Sequence, residues 1–119
     1  IDTDSNGEFR TVRSYLTMAL LLAVEGRSEE SMQFLRRWNG LASADIAEII
    51  GYRNYACEVL GINNALKEAV KCLRKGLSEP SFMTPVIDPY LPFYDGIRDE
   101  PEFKALLDEI EQKVVNIRF

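Results

Sequence analysis

The sequence contains no histidine and only two cysteines, Cys57 and Cys72, which stand outside any CxxC pair. A structural zinc site needs clustered cysteine or histidine ligands, so the sequence excludes one. A nucleophile would also lack its commonest base, and the serines stand in no GxSxG-like setting. No glycine-rich phosphate loop is present. We therefore predict no catalytic residue, no metal and no cofactor.

Basic residues are also few and scattered. The chain has 14 Lys and Arg against 19 Asp and Glu, for a net charge of -5. Nucleic-acid binding needs a concentrated basic face, so we expect no nucleic-acid partner. The longest apolar stretch, residues 15–24, is about half of the roughly 20 residues that a bilayer-spanning helix needs. We predict that it is a buried helix and that the chain does not insert into a membrane.

The chain has 119 residues, of which 46% are hydrophobic, which is enough for one core and too little for two domains. We expect a single domain over residues 1–119. The sequence begins at Ile1 with no initiator methionine and no apolar leader, so we expect a piece of a longer polypeptide.

Apolar residues at helical spacing predict two helical hairpins, at about residues 10–39 and 43–78. Gly26 ends the first helix, and Ser28 is the expected N-cap of the second, which we expect to stop at Asn39-Gly40. Ser43 and Asn64 are the expected N-caps of the third and fourth helices. The first helix is apolar almost all round and should be the most buried.

The segments from Ser31 to Trp38 and from Ala69 to Gly76 align position by position as small, leucine and basic residues, which is typical of a helical repeat. Four prolines in the following connector, residues 79–99, leave room for one helical turn at most. The connector is nevertheless apolar and aromatic, so we expect it to pack against the helices. An amphipathic helix at about 100–117 should close the stack.

This pattern resembles the tetratricopeptide repeat family. The resemblance rests on Tyr15, Met18, Ala19 and Leu22 in the first helix, Gly26 in the turn, and Ser31, Leu35 and Trp38 in the second helix. Residues 88–107 resemble the end of repeat regions at the C-terminus of bacterial adenylate cyclases, protein kinases and winged-helix activators. The resemblance implies an all-α superhelix of antiparallel hairpins with a capping helix, and a bacterial parent whose effector domain precedes Ile1.

The resemblance also implies a non-catalytic protein-protein interaction or scaffolding module, because the family holds peptides on a concave face. The first helix of each hairpin lines that face. In this sequence it would contain Arg13, Leu16, Leu20, Tyr52, Arg53, Asn54 and Glu58. The expected partner is a protein, a peptide or another domain of the parent. An alternative of equal weight is that the connector or the last helix fills this groove.

Three other interpretations stay open. A small-molecule sensor would have a pocket between the stack and the connector, lined by Trp38, Tyr52, Tyr55, Phe82, Tyr90, Phe93 and Tyr94. An enzyme would show clustered carboxylates or thiols with shifted pKa values in a cleft. A homodimer would form through the apolar helix at residues 15–24.

If the second hairpin packs as the family's hairpins do, Cys57 and Cys72 face each other within disulfide range. The favoured interpretation is two small buried hydrophobic side chains. The sequence does not fix the compartment: we expect the cytoplasm, or the periplasm if the parent is a membrane-spanning regulator.

Overall fold

The computed structural model describes residues 2–3, 9–10, 12–79, 83–85 and 87–118, with side chains described between Val12 and Val115. Five α-helices form most of it: α1 (Val12–Val24), α2 (Ser28–Ala42), α3 (Ile46–Ile62), α4 (Leu66–Ser78) and α5 (Pro101–Arg118). Two single 3-10 turns, η1 (Asp88–Tyr90) and η2 (Pro92–Tyr94), precede α5. The predicted all-α class is confirmed. An unexpected addition is a two-residue antiparallel pairing of β1 (Asp2–Thr3) with β2 (Phe9–Arg10).

The turn from α1 to α2 and the turn from α3 to α4 have the same backbone structure. Gly26 (φ 82°) and Asn64 (φ 57°) each donate an amide hydrogen bond to the carbonyl three residues earlier. The next residue donates to the carbonyl five residues earlier, which completes a Schellman motif. The offset from Gly26 to Asn64 equals the offset from Ser31 to Ala69, so the two hairpins repeat in the register that the sequence predicts.

The predicted helix caps are mostly wrong. Helix α2 begins at Ser28 with no side-chain cap and continues through Asn39-Gly40 to Ala42. Ser43 follows the end of α2, and the N-cap of α3 is Asp45, whose carboxylate accepts from the amides of Ala47 and Glu48. Asn64 does not cap α4 but occupies the left-handed position after α3. A short polar residue near a helix boundary fits either end, which explains these errors.

The first hairpin packs through a small residue of α2. Ser31 of α2 is fully buried, and its hydroxyl donates to the backbone carbonyl of Ala19 at 2.6 Å. Asn63, in the turn after α3, donates to the same hydroxyl at 2.9 Å. This chain of hydrogen bonds ties α1, α2 and the end of α3 together. Around it lies a continuous core that includes Leu35, Trp38 and Val59.

Cys57 and Cys72 form a disulfide between α3 and α4, with 5.5 Å between their Cα atoms. The interpretation as two free, buried hydrophobic side chains is therefore wrong. The disulfide forms because packing of the second hairpin brings the facing positions of α3 and α4 to the separation that a disulfide needs.

The connector packs against the C-terminal half of α3, as expected, but it contains two helical turns where one was predicted. Tyr94 of η2 is 1% exposed and lies against Gly61 of α3 and Phe103 of α5. Arg98 holds the connector's own backbone by donating to the carbonyls of Pro89 and Leu91. Four prolines shorten helices, but they do not prevent single 3-10 turns.

Helix α5 covers α4 with the predicted amphipathic face. Phe103, Leu106 and Ile110 are buried, and Leu107 and Val114 are partly buried. Ile117, the last predicted member, lies outside the residues with described side chains. Within the described part of the chain, none of the helices combines the length and apolarity that crossing a bilayer requires.

We predict that Gly61→Ala destabilises the protein by about 1–3 kcal/mol, because overpacking forces neighbouring groups to move. A Cβ at this position would lie 2.6 Å from the ring of Tyr94 and 2.7 Å from the carbonyl oxygen of Phe93. Urea unfolding measures the change. Gly40→Ala is the control, since nothing lies within 4 Å of its Cβ position in α2. It should be neutral or stabilising by up to about 1 kcal/mol, and equal effects at the two sites would contradict the proposed contact.

We also predict that reduction of the disulfide lowers the free energy of unfolding by roughly 2–4 kcal/mol, because the unfolded chain regains loop entropy. Urea unfolding with and without a reductant measures this difference. The variant C57S/C72S is the control: reductant should leave it unchanged, at the stability of the reduced wild-type chain. A wild-type curve insensitive to full reduction would contradict the prediction.

Candidate functional site

A groove lies between α1 and α3, with a volume of about 200 Å³. Its lining, which we call the α1–α3 groove, consists of Arg13, Leu16, Thr17, Leu20, Tyr52 and Tyr55. On α1, Leu16 and Thr17 are three and four residues from both Arg13 and Leu20. The two tyrosines are three residues apart, so each set shares one helix face. Leucine side chains provide an apolar floor, and one cation and two tyrosines lie along it.

Glu48 fixes the cationic end of this groove. Its side chain belongs to the first turn of α3 and is 8% exposed. One carboxylate oxygen accepts from the indole nitrogen of Trp38 at 3.2 Å, and the other accepts from the Arg13 guanidinium at 3.3 Å. A single buried carboxylate therefore connects α1, α2 and α3, and it holds Arg13 at the groove.

The guanidinium of Arg13 lies over the ring of Tyr52, 3.9 Å from its centroid. Tyr52 in turn stacks with Tyr55, with 6.0 Å between the ring centroids. About half of the Arg13 side chain stays exposed, and Tyr55 is 42% exposed. Arg13, Tyr52 and Tyr55 thus form an ordered row that faces outwards. The guanidinium of Arg13 has N–H groups in addition to the one bonded to Glu48.

The structure brings four of the seven predicted site residues together and separates the other three. Arg13, Leu16, Leu20 and Tyr52 line the groove, and Asn54 is half-buried on α3 outside its lining. Arg53 lies on another face of α3, where it pairs with Glu79 at 3.1 Å and borders a cavity beside Cys72. Glu58 is buried against the connector. Successive residues of a helix point in different directions, so a run such as 52–54 cannot all face one groove.

The connector does not line the groove in the part of the chain that the structure describes. Beside the groove, α1 leaves Leu21 and Val24 exposed by 53% and 70%. Helix α3 exposes a smaller share of its residues than α1 does and buries a slightly larger one, so the prediction that α1 is the most buried helix is wrong. The apolar surface of α1 continues past the groove towards the turn at Gly26.

The groove predicted from the sequence omitted Glu48, Thr17 and Tyr55, and assigned Tyr55 only to the possible ligand pocket. Asp45 followed by Glu48 has the spacing of an N-cap and its first-turn acid, which was the available signal for the true start of α3. Tyr55 stands one helical turn after Tyr52, so the spacing that selected one tyrosine also selects the other. The bond between Glu48 and Trp38 had no sequence signal, because it joins separate helices.

The aromatic residues assigned to a possible ligand pocket lie in separate environments. Trp38 is in the core, Tyr52 and Tyr55 are in the groove, and Tyr94 packs against Phe103. A cavity of about 370 Å³ beside α5 contains one residue of the set, Tyr90, whose hydroxyl donates to Glu111. Phe82 lies outside the described residues. The described members of the set therefore do not line one pocket.

One buried acid has a shifted pKa. Burial, and then the charge of Asp88, raise the pKa of Glu58 to about 7. Glu58 lines none of the three cavities beside α1, beside α5 or beside Cys72. Within the described residues, no group of three or more acids and cysteines has an arrangement that could hold a metal ion.

Comparison with protein-family models, with curated proteins and with solved structures gave no match to this chain.

We predict that Glu48→Ala lowers the free energy of unfolding by about 1–3 kcal/mol, since it leaves the buried indole N–H of Trp38 without an acceptor. It should also change the fluorescence of Trp38, the chain's single tryptophan, in the folded state. Urea unfolding followed by fluorescence measures both effects. Asp108→Ala, at an exposed acid on α5, is the control and should change stability by no more than about 0.5 kcal/mol. A Glu48→Ala variant as stable as this control would disprove the bridging role.

Proposed function

We propose that this chain is a non-catalytic protein-interaction module and that the α1–α3 groove binds a short segment of a partner protein. The observation that supports this proposal is the ordered row of Arg13, Tyr52 and Tyr55 above an apolar floor. Arginine and tyrosine are the side chains enriched at the energetic centres of protein interfaces. Glu48 holds the row in place before any partner arrives, which lowers the entropy cost of binding.

The groove's size and chemistry favour one kind of occupant. Its volume of about 200 Å³ is below the roughly 300–1,000 Å³ that is usual for small-molecule pockets. It has room for one or two apolar side chains. The exposed guanidinium of Arg13 adds donors for a neighbouring carbonyl or carboxylate. We therefore propose a peptide segment with an apolar side chain next to an acceptor.

Two of the alternatives have less support. The aromatic residues of the small-molecule hypothesis are dispersed over the core, the groove and the connector. A catalytic role for Glu58 would need access for a substrate, but its side chain is 6% exposed. We infer that its shifted pKa has a structural origin. Ion pairs and packing outside active sites also shift the pKa values of carboxylates.

We also propose that the two hairpins are tetratricopeptide-type repeats in a larger bacterial signalling protein. Support comes from the Schellman turn that recurs at equivalent positions of the two hairpins and from the small residues Ser31 and Ala69, both fully buried, that also correspond. The disulfide favours an oxidising compartment over the cytoplasm, because cytoplasmic thiols are kept reduced.

Selection of a random peptide library tests the proposed binding site. Peptides enriched on the wild-type chain should contain an apolar residue next to an acidic one and bind in the micromolar range. Tyr55→Ala should weaken them about tenfold or more, because it removes about half of the aromatic row. Isothermal titration calorimetry with one selected peptide measures the affinities.

Tyr90→Ala is the matched control, since Tyr90 is exposed by 43% and Tyr55 by 42%. It lies far along the chain on η1 and should leave the affinity unchanged. If the two variants lose peptide affinity equally, or if both bind the peptides as tightly as the wild type does, the groove is not the binding site. Sedimentation equilibrium of the free chain gives a separate result: self-association that Leu21→Glu abolishes would identify a second copy as the occupant of the apolar face of α1.

A further inference from the structure

Glu58 is a buried acid without the partners that normally accompany one. It lies on α3 with 6% of its surface exposed. Among the described residues, none donates a hydrogen bond to its carboxyl group and no cation pairs with it. Glu48, ten residues earlier on the same helix, is equally buried but accepts from both Trp38 and Arg13. A buried charge without such compensation is unfavourable, so the neutral acid is the form that suits this site.

The groups that face Glu58 come from the connector. Asp88 of η1 is the charged group that acts on it, and Tyr94 of η2 is the other titratable group nearby. Asp88 is itself fixed, because one of its oxygens accepts from the backbone amide of Thr84 at 2.6 Å. Tyr94 stays neutral, since its burial and the two acids raise its pKa. Within the described chain, no charged side chain of α1, α2, α4 or α5 contributes to the shift at Glu58.

The two protonation states of Glu58 therefore have different consequences. The protonated acid carries no charge, so it does not repel the charge of Asp88. It can also donate a hydrogen bond. The carboxylate places a second negative charge near Asp88 in a largely buried site. Moving the connector away from α3 would solvate both charges, so ionisation favours separation of these two elements.

We propose that Glu58 is a pH-sensitive latch that holds the connector on α3 when it is protonated and loosens the connector when it is ionised. This proposal does not depend on the interaction groove, because Glu58 is not among the residues that line it. Its structural elements are the turn η2 packed on α3, the tight contact between Gly61 and Tyr94, and the charge of Asp88 of η1 that acts on Glu58.

Few other groups of this chain can change their charge in the physiological pH range. The chain has no histidine, the side chain that ordinarily changes charge between pH 5 and 8. Among the other described groups with shifted pKa values, that of Glu109 is lowered by Arg74, and those of Tyr90 and Arg27 are raised from values of 10 or more. All of these titrate outside the range from pH 5 to 8.

The direction of the pH dependence follows from the raised pKa. Between the ordinary value of 4.5 and about 7, the folded chain retains a proton that the unfolded chain has released. Stability should therefore fall as the pH rises through this range and level off above it. An acid with a lowered pKa would give the opposite slope.

Thermal unfolding of the full chain between pH 5 and pH 8 tests the latch. The wild-type Tm should fall by roughly 5–10 °C over this range. Glu58→Gln should keep a high Tm at pH 8 and lose most of this slope, because Gln remains neutral. Glu68→Gln, at an exposed acid on α4, is the control and should keep the wild-type slope. Asp88→Asn should move the midpoint of the transition to lower pH, since it removes the charge that faces Glu58.

Amide hydrogen exchange, corrected for the intrinsic effect of pH, locates the change. Protection of residues 90–97 should fall between pH 5 and pH 8 in the wild type and stay constant in Glu58→Gln, while α1 stays protected in both. A Glu58→Gln variant with the wild-type pH slope would overturn the proposal. So would exchange that increases equally in α1 and the connector, and so would an unchanged midpoint in Asp88→Asn.

Discussion

Two hydrogen bonds to one buried carboxylate, that of Glu48, hold the arrangement on which the candidate site depends. They join the indole of Trp38 in the core to the guanidinium of Arg13 at the surface. Because the two donors come from different helices, the carboxylate fixes the relative positions of α1, α2 and α3. Arg13 then has a defined place over Tyr52, and the groove is ordered without a bound partner. An uncompensated charge at this position would be unfavourable, so the network is stable only when the three helices are in place.

The second hairpin repeats the backbone of the first but is fastened differently. Both hairpins turn through a Schellman motif, and both place a small buried residue at the helix contact, Ser31 or Ala69. In the first hairpin, Ser31 donates a hydrogen bond across the contact to Ala19, and Asn63 of the second hairpin donates to Ser31. In the second, the disulfide between Cys57 and Cys72 links the two helices covalently. A short stack has little core per residue, so such local links matter for its stability.

Helix α3 thus carries two buried acids with opposite properties. Glu48 has two donors and serves as a fixed anchor for the groove. Glu58 has none among the described residues and faces Asp88, so its charge is unfavourable in the folded chain. The same residue type therefore gives a rigid element at one end of the helix and a proposed pH-dependent contact at the other. The difference lies in what the neighbouring elements bring to each carboxylate.

Local pattern in the sequence determined the all-helical class, the approximate extents of the five helices, the correspondence between the two hairpins and the apolar face of α5. These features depend on the spacing of apolar residues along one segment, which can be read without knowing what packs against it. Only the tertiary structure decided the disulfide, the sharing of Glu48 by three helices and the separation of Arg53 and Glu58 from the groove. Those outcomes depend on the rotation of each helix about its axis and on contacts between residues distant in sequence, and packing of the assembled core fixes both.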